Sequence, residues 1–228
     1  MLRKPIVTLL AIITLSLVDA TAARGATISI TNSDSGWYSE VGDHQADVTN
    51  YFSGQNPGFD DLHYRNWFVF DLTAAAGETI TGAQLQLYTY QITESGTYTT
   101  YDVATPVPTL TAGGTGLVGI YADLGSGASF GSLALTTADE ESLILINLNA
   151  AAVADIQANA DISALFAIGG DFLSDSGFGH AYGFSSFDSR NQLILQTAAA
   201  TVPDGGMTIS FLGGTLMAFG MLRRKFNS

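Results

Sequence analysis

Hydrophobic and polar positions alternate along much of this chain with the two-residue period of β-strands. In Ile80–Tyr88, Leu85 and Leu87 fall on one face, whereas Gln84 and Gln86 fall on the other. Successive side chains of a strand point to opposite faces of its sheet. We therefore predict a half-buried strand here, with the two leucines directed toward a core.

A second segment, Trp67–Leu72, is apolar on both faces apart from Asp71. Such a strand is typical of the centre of a sheet that is covered on both sides. Further short hydrophobic runs, separated by turn-forming glycines and serines, also predict strands. They are Thr27–Ile30, Tyr98–Val103, Leu117–Ala122, Leu143–Asn147, Leu165–Ile168 and Gln192–Gln196.

Only Asn149–Ala158 has the spacing of a helix, because Val153 and Ile156 lie three residues apart and Asn149 is a suitable N-cap. Many short strands and one short helix predict an all-β fold over residues 27–197. We expect an antiparallel β-sandwich of jelly-roll-like type. The residues expected to be buried in its core are Phe68, Phe70, Leu85, Leu87, Ile144, Ile168 and Leu193.

The first 22 residues have the pattern of a signal peptide. Arg3 and Lys4 form a positive region, and Ile6–Val18 is an apolar stretch that is short for a spanning helix. The small-x-small sequence Ala20-Thr21-Ala22 predicts cleavage after Ala22. Cleavage after Ala26 and an uncleaved anchor are the alternatives. The segment predicts that the protein is exported and that a signal peptidase removes the signal peptide.

A second targeting pattern lies near the C-terminal end. Residues 198–206 form a small-residue linker that ends in Val202-Pro203-Asp204-Gly205-Gly206, and the apolar segment Met207–Leu222 follows it. We predict that this segment is a transmembrane helix. The basic cluster Arg223-Arg224-Lys225 predicts a membrane stop, so residues 223–228 form a cytoplasmic tail and the body lies on the export side. A plain tail anchor without processing is the alternative.

Between these ends the chain is strongly acidic. Residues 27–201 carry 2 basic and 19 acidic side chains, a formal charge of about −17. Such a field repels nucleic acid, so we expect no nucleic-acid partner. The chain contains no cysteine, which excludes disulfides, a thiol nucleophile and cysteine-ligated metal centres.

Two local strings match catalytic or cofactor motifs in letters only. Gly127–Gly131 fits the G-x-S-x-G nucleophile elbow around Ser129, but a strand-like segment follows it where the elbow requires a helix. Gly114–Gly119 fits a dinucleotide fingerprint, but we expect a glycine-rich turn that leads into a strand. The one histidine downstream of Ser129 is His180. We therefore expect a protein that is not an enzyme.

Acidic side chains in the early turns raise the question of calcium. Asn32, Asp34, Glu40, Asp43 and Asp47 lie close together in sequence, and Asp60 and Asp61 follow a Gly/Pro loop. Oxygen ligands from loops are what Ca²⁺ takes. Solvated turn carboxylates are the favoured interpretation. We expect no cofactor, with a weak Ca²⁺ site as the alternative.

Aromatic side chains raise the question of carbohydrate binding, because rings on one sheet face form a stacking platform for sugars. Aromatic residues are also good strand formers and core fillers. The candidates for such a platform are Trp37, Tyr38, Tyr88, Tyr90, Tyr98 and Tyr101.

The C-terminal pattern resembles the VPDSG-CTERM sorting signals, a branch of the PEP-CTERM superfamily found on exported proteins of Gram-negative bacteria. Val202, Pro203, Asp204 and Gly206 match the motif, whereas Gly205 stands where the family has serine. The resemblance implies recognition by an exosortase, a membrane protease that removes or exchanges the tail. It also implies a membrane-anchored precursor that later reaches the cell surface or extracellular matrix.

The body is similar to uncharacterised β-sandwich domains found on such proteins. The matching strings are Tyr64–Leu72, Ile80–Tyr88, Tyr121–Gly125, Leu148–Ala150, Phe166–Gly170 and Gly183–Ser185. No functional residue comes with this resemblance. The expected role is structural or adhesive, and the alternative is a carbohydrate-binding module that acts on exopolysaccharide.

Overall fold

The computed structural model describes residues 25–56, 60–183 and 190–198. The predicted signal peptide, the motif at residues 202–206, the apolar segment 207–222 and the basic tail lie outside these residues. The chain from Gly25 to Ala200 forms one compact unit. Within the described ranges, we find no helix that combines the length and the apolar character needed to cross a bilayer.

Twelve strands dominate the part of the body that the structure describes. They are β1 (Thr27–Thr31), β2 (Asp34–Ser39), β3 (Tyr51–Gln55), β4 (His63–Asp71), β5 (Ile80–Thr89), β6 (Gln91–Ile92), β7 (Gly96–Asp102), β8 (Ser129–Leu135), β9 (Ser142–Leu148), β10 (Leu165–Ser174), β11 (His180–Gly183) and β12 (Gln192–Thr197).

These strands form two antiparallel sheets. The smaller sheet has the order β1-β12-β5-β9, and the larger has the order β6-β11-β3-β4-β10-β7-β8, with β2 also paired to β4. In five of the pairings, early strands meet late ones in a nested series, namely β1 with β12, β3 with β11, β4 with β10, β5 with β9 and β7 with β8. The predicted all-β class is therefore confirmed for the described residues.

The main core lies between the two sheets. It combines Leu85 and Leu193 of the smaller sheet with Phe68 and Phe172 of the larger one. All seven residues predicted for the core are buried, with at most 6% of their surface exposed. Outside the core, the side chain of Gln84 donates to Asn147 Oδ1 over 2.7 Å, as expected for the polar face of β5.

Strand β4 is covered on both faces, as its uninterrupted apolar pattern predicts. Phe68 and Phe70 enter the main core, whereas Trp67 and Val69 enter a second apolar cluster on the outer face of the larger sheet. Two short helices, α1 (Val107–Leu110) and α2 (Val118–Asp123), contribute residues that cover this outer face.

The prediction of a strand at Leu117–Ala122 is wrong, because these residues begin α2. The apolar side chains of Leu117, Ile120 and Leu124 are spaced by three and four residues, and all three pack in the second cluster. Within so short a run, this spacing is easily taken for strand alternation. The expectation of a single helix is wrong, because α1 and α2 are present as well.

The predicted helix at Asn149–Ala158 is confirmed as α3 (Ala150–Ala160) and extends two residues further. Asn149 caps it, since its Oδ1 accepts from the backbone N–H of Ala152 over 3.1 Å. Ile156 is fully buried, and Val153 packs against the main core.

Replacing Leu85 with alanine should lower the free energy of unfolding by about 2–5 kcal/mol, because it leaves a cavity in the main core. The side chain of Leu85 is fully buried between the sheets. Urea denaturation monitored by circular dichroism would measure the loss. The exposed Leu143 is the matched control, and its replacement by alanine should change stability by less than about 1 kcal/mol. Equal losses for the two variants would contradict the core assignment.

Candidate functional site

Ser129 and His180 are not brought together by the fold. Ser129 begins β8 and is followed by a strand, so no nucleophile elbow forms. His180 begins β11, which lies five strands away from β8 in the same sheet. At about 4.8 Å per strand, that places them about 24 Å apart along the sheet.

The glycine string 114–119 leads into helix α2 rather than into a strand, so the expected turn into a strand is wrong. The helix has only six residues, and the element before the glycines is the short helix α1. A dinucleotide fingerprint requires a strand before the glycines and a longer helix after them. The string therefore has none of the structural context of a cofactor site.

The acidic turn residues make separate local contacts. Asp34 Oδ1 accepts from Ser35 N over 2.8 Å, and Asp43 Oδ1 accepts from Gly116 N over 3.1 Å. Asp60 Oδ1 accepts from Leu62 N over 3.2 Å. No three His, Asp or Glu side chains converge to a metal-binding arrangement in the ranges that the structure describes. Calcium binding stays an untested prediction.

The six aromatic residues of the predicted sugar platform do not share one surface. Tyr38 and Tyr98 are fully buried, whereas Tyr90 is 44% exposed. The hydroxyl of Tyr98 donates to Asn66 Oδ1 over 2.8 Å in the interior, and the ring of Tyr88 lies under the guanidinium of Arg190. The platform is therefore not assembled from these six rings.

A different aromatic group forms where three strands meet. Tyr64 of β4 pairs with Ser39 of β2 and with Gly54 of β3. This register brings Trp37 and Phe52 to the ring of Tyr64, at centroid distances of 5.0 and 5.1 Å. Both rings stand nearly perpendicular to it, with interplanar angles of 89° and 85°.

These three rings line a small, half-open cavity, which we call the aromatic pocket. It has a volume of about 140 Å³ and is lined by Trp37, Phe52 and Tyr64 together with the carboxamides of Asn50 and Asn56. The five lining side chains include no carboxylate and no cation. Sequence reasoning identified Trp37 alone among them, because the cavity depends on how β2 and β3 pair with β4.

The surroundings of the pocket are electronegative. The hydroxyl of Tyr64 donates to Asp60 Oδ2. Burial raises the pKa of Tyr64 well above its ordinary value, and the hydrogen bond to Asp60 and the charges of Asp60, Asp43 and Glu40 raise it further. The phenol is therefore neutral at pH 7, and three carboxylates lie close enough to affect its electrostatic potential.

Two buried histidines adjoin the pocket rings. His180 lies 4.6 Å from Phe52 and His44 lies 6.4 Å from Trp37, measured between ring centroids. Burial lowers the pKa of both histidines below their ordinary value. Both rings are therefore neutral at pH 7 and do not offset the surrounding carboxylates.

Lowering the pH from about 7 to about 5 should lower the free energy of unfolding, because these histidines take up protons more readily in the unfolded chain. The unfolded chain binds protons near the ordinary histidine pKa of 6.5, whereas folded His44 binds them only at lower pH. Each such histidine can therefore cost up to about 1.4 kcal/mol per pH unit across this window. We expect His44→Gln to make the loss smaller than in wild type, as measured by urea denaturation at fixed ionic strength. Parallel pH curves for the two proteins would contradict this assignment.

A buried ionic network connects the larger sheet to helix α2. The carboxylate of Asp171 is only 4% exposed and lies 3.0 Å from Arg65 Nε and 3.3 Å from His63 Nε2. The histidine contact lacks hydrogen-bond geometry, so the hydrogen bond to the Asp171 carboxylate comes from Arg65. On its other side, His63 Nδ1 lies 2.9 Å from the hydroxyl of Tyr121, and Arg65 Nη1 donates to the Tyr121 carbonyl over 3.2 Å.

Each of the two basic residues of the body lies over a tyrosine ring. The guanidinium carbon of Arg65 lies 4.5 Å from the ring centroid of Tyr121, and that of Arg190 lies 3.2 Å from the ring centroid of Tyr88. Contacts of this kind are cation–π interactions. The sequence contains no other Lys or Arg between residues 27 and 201, so the body surface is dominated by negative charge.

A further cavity of about 320 Å³ brings two carboxylates together. Asp102 and Asp155 both line it, beside Thr105, Asn159 and Phe166. Burial raises the pKa of Asp102, and the charges of Asp155 and Asp123 raise it further. Two carboxyl groups therefore share this cavity, and the sequence pattern indicates neither of them.

Comparison of the sequence with family models and with curated proteins gives no match. No family model matches the chain, and no curated protein matches it at the significance required.

Proposed function

We propose that this protein is an exported component of the cell surface or extracellular matrix with a structural or adhesive, non-catalytic role. The observation that carries the proposal is the order of Val202–Gly206, the apolar segment Met207–Leu222 and the basic cluster Arg223–Lys225. An exosortase-type protease is the processing partner, and the membrane holds the precursor until processing occurs. The N-terminal pattern supports export of the protein and removal of this segment by a signal peptidase.

The described body is compatible with such a role. Its surface is acidic, because the 19 carboxylates of residues 27–201 are opposed by two arginines alone, and each of these arginines lies over an aromatic ring of the body. A high net charge of one sign favours solubility. The nested strand pairing, in which β1 meets β12 and β4 meets β10, supports a jelly-roll class for the sandwich.

Intact-mass analysis of the native protein tests the proposal directly. We expect a mature protein that lacks residues 1–22 and whose C-terminal boundary lies within or after the linker, before the apolar segment. A mature surface protein that still carries Asn227 and Ser228 would contradict the processing step.

The alternative function is carbohydrate binding. One ring of the predicted platform supports it, because Tyr90 is 44% exposed and lies 5.9 Å from the ring of Tyr182. A glycan array would test it with Tyr90→Ala, using the exposed Phe178 as the matched control position. Binding that survives Tyr90→Ala, or no binding at all, would remove this support.

A further inference from the structure

We propose that the aromatic pocket binds a quaternary ammonium group, such as the trimethylammonium of choline. The pocket belongs to the body, and the inference does not depend on the sorting tail. It combines three features: three mutually close aromatic rings, a small cavity, and carboxylates placed around the cavity but not inside it.

The rings supply the attraction. A cation within about 6 Å of an aromatic centroid is attracted by the negative face of the ring, and tryptophan and tyrosine are the strongest partners. Trp37 and Phe52 each lie about 5 Å from Tyr64, so one group in the cavity is close to all three. Perpendicular rings enclose a compact group better than they stack on a flat sugar.

The charge around the pocket favours a cation. The negative charges of Asp60, Asp43 and Glu40 all raise the pKa of Tyr64. The adjoining His44 and His180 are uncharged at pH 7. The whole body carries a formal charge of about −17 from 2 basic and 19 acidic residues. A positively charged ligand is therefore attracted both locally and at long range.

The lining chemistry selects among cations. A calcium ion requires six to eight oxygen ligands, and the five lining side chains include no carboxylate. A primary ammonium group loses strong hydrogen bonds to water on entering an aromatic cavity. A trimethylammonium group donates no hydrogen bond and presents methyl groups to the rings, so it loses less. The volume of about 140 Å³ suits such a compact group and is below the roughly 300 Å³ of pockets for larger ligands.

Fluorescence titration of the full-length chain tests the proposal. The chain has 2 tryptophans: Trp37 lines the pocket, and Trp67 is 1% exposed in the second cluster. Choline and tetramethylammonium should therefore change the emission of Trp37 saturably. The uncharged tert-butyl isostere of choline should bind at least about tenfold more weakly, because it has the same shape without the charge.

Two aspartate variants separate a charge effect from a loss of folding. Asp60→Asn should weaken choline binding about threefold to tenfold, because it removes the carboxylate that accepts from Tyr64. Asp61→Asn removes the same charge one residue further on. Asp61 is not among the groups that raise the pKa of Tyr64, so this variant should change binding less than about twofold. Phe52→Leu should weaken binding about tenfold. Circular dichroism and melting curves would show that each variant is folded.

A final arm distinguishes the sources of the group. If the natural source is a lipid headgroup, phosphatidylcholine vesicles should displace choline, and phosphatidylglycerol vesicles should not. If the source is a free small molecule, neither vesicle should compete. The proposal is overturned if the uncharged isostere binds as well as choline, if neutral hexoses bind in its place, or if choline gives no saturable change.

Discussion

Replacing Arg65 with methionine should lower the free energy of unfolding by about 3–5 kcal/mol. The change leaves the carboxylate of Asp171 without its arginine partner at a position that is only 4% exposed. Removing one member of a buried ion pair costs this much because the remaining charge is uncompensated. Arg65 also donates to the carbonyl groups of Tyr121 and Ala122, so its loss should loosen helix α2 from the sheet. Urea denaturation of the two proteins at pH 7 would measure the difference.

The chain offers a matched control for this substitution. Arg190 is the other body arginine, and Arg190→Met changes the net charge by the same amount. It lies exposed over the ring of Tyr88, so its loss should cost about 1 kcal/mol or less. The double variant Arg65→Met, Asp171→Leu should recover part of the stability, because an apolar pair can replace a buried ion pair. Equal losses for Arg65→Met and Arg190→Met would refute the buried network.

The fold was largely predictable from hydrophobic periodicity, since strands with a clear core face were found. Ile80–Tyr88 is an example, because its alternation specifies which side chains enter the core. The sequence pattern does not predict strands β2 and β3, because the segment from Asp34 to Gln55 is rich in Gly, Asp and Ser and resembles a series of turns. The aromatic pocket follows from these two strands, so it was missed with them.

The buried network could be anticipated only in part. Arg65 and Asp171 are 106 residues apart, and their contact depends on the pairing of β4 with β10. One signal was available, because Arg65 is one of two arginines in a strongly acidic body and lies just before an apolar strand segment. A cation in such a position requires a carboxylate partner. The sequence does not say which of the 19 acidic residues of the body supplies it.

Deleting Met207–Ser228 should release the whole body from the membrane as soluble protein. The apolar segment Met207–Leu222 would extend about 24 Å as a helix, at roughly 1.5 Å per residue. That length is less than the roughly 30 Å of a bilayer core. Gly213, Gly214 and Gly220 further reduce helix propensity, by about 1 kcal/mol each. We therefore expect a transient anchor, which holds the precursor for processing and is not a robust permanent span.

Replacing Val202, Pro203 and Asp204 with alanines should leave the anchor intact but block its processing. Pro203 and the two following glycines disfavour a helix, so the motif is suited to the extended conformation that a protease cleft requires. We expect this variant to accumulate as an unprocessed, membrane-held precursor, as seen by fractionation and intact-mass analysis in the native host. Alanine replacement of Thr201, which lies directly before the motif in the linker, is the matched control and should leave processing unchanged. Normal processing of the motif variant would show that Val202–Gly206 is not the recognition sequence, because the apolar segment and basic stop are unchanged in it.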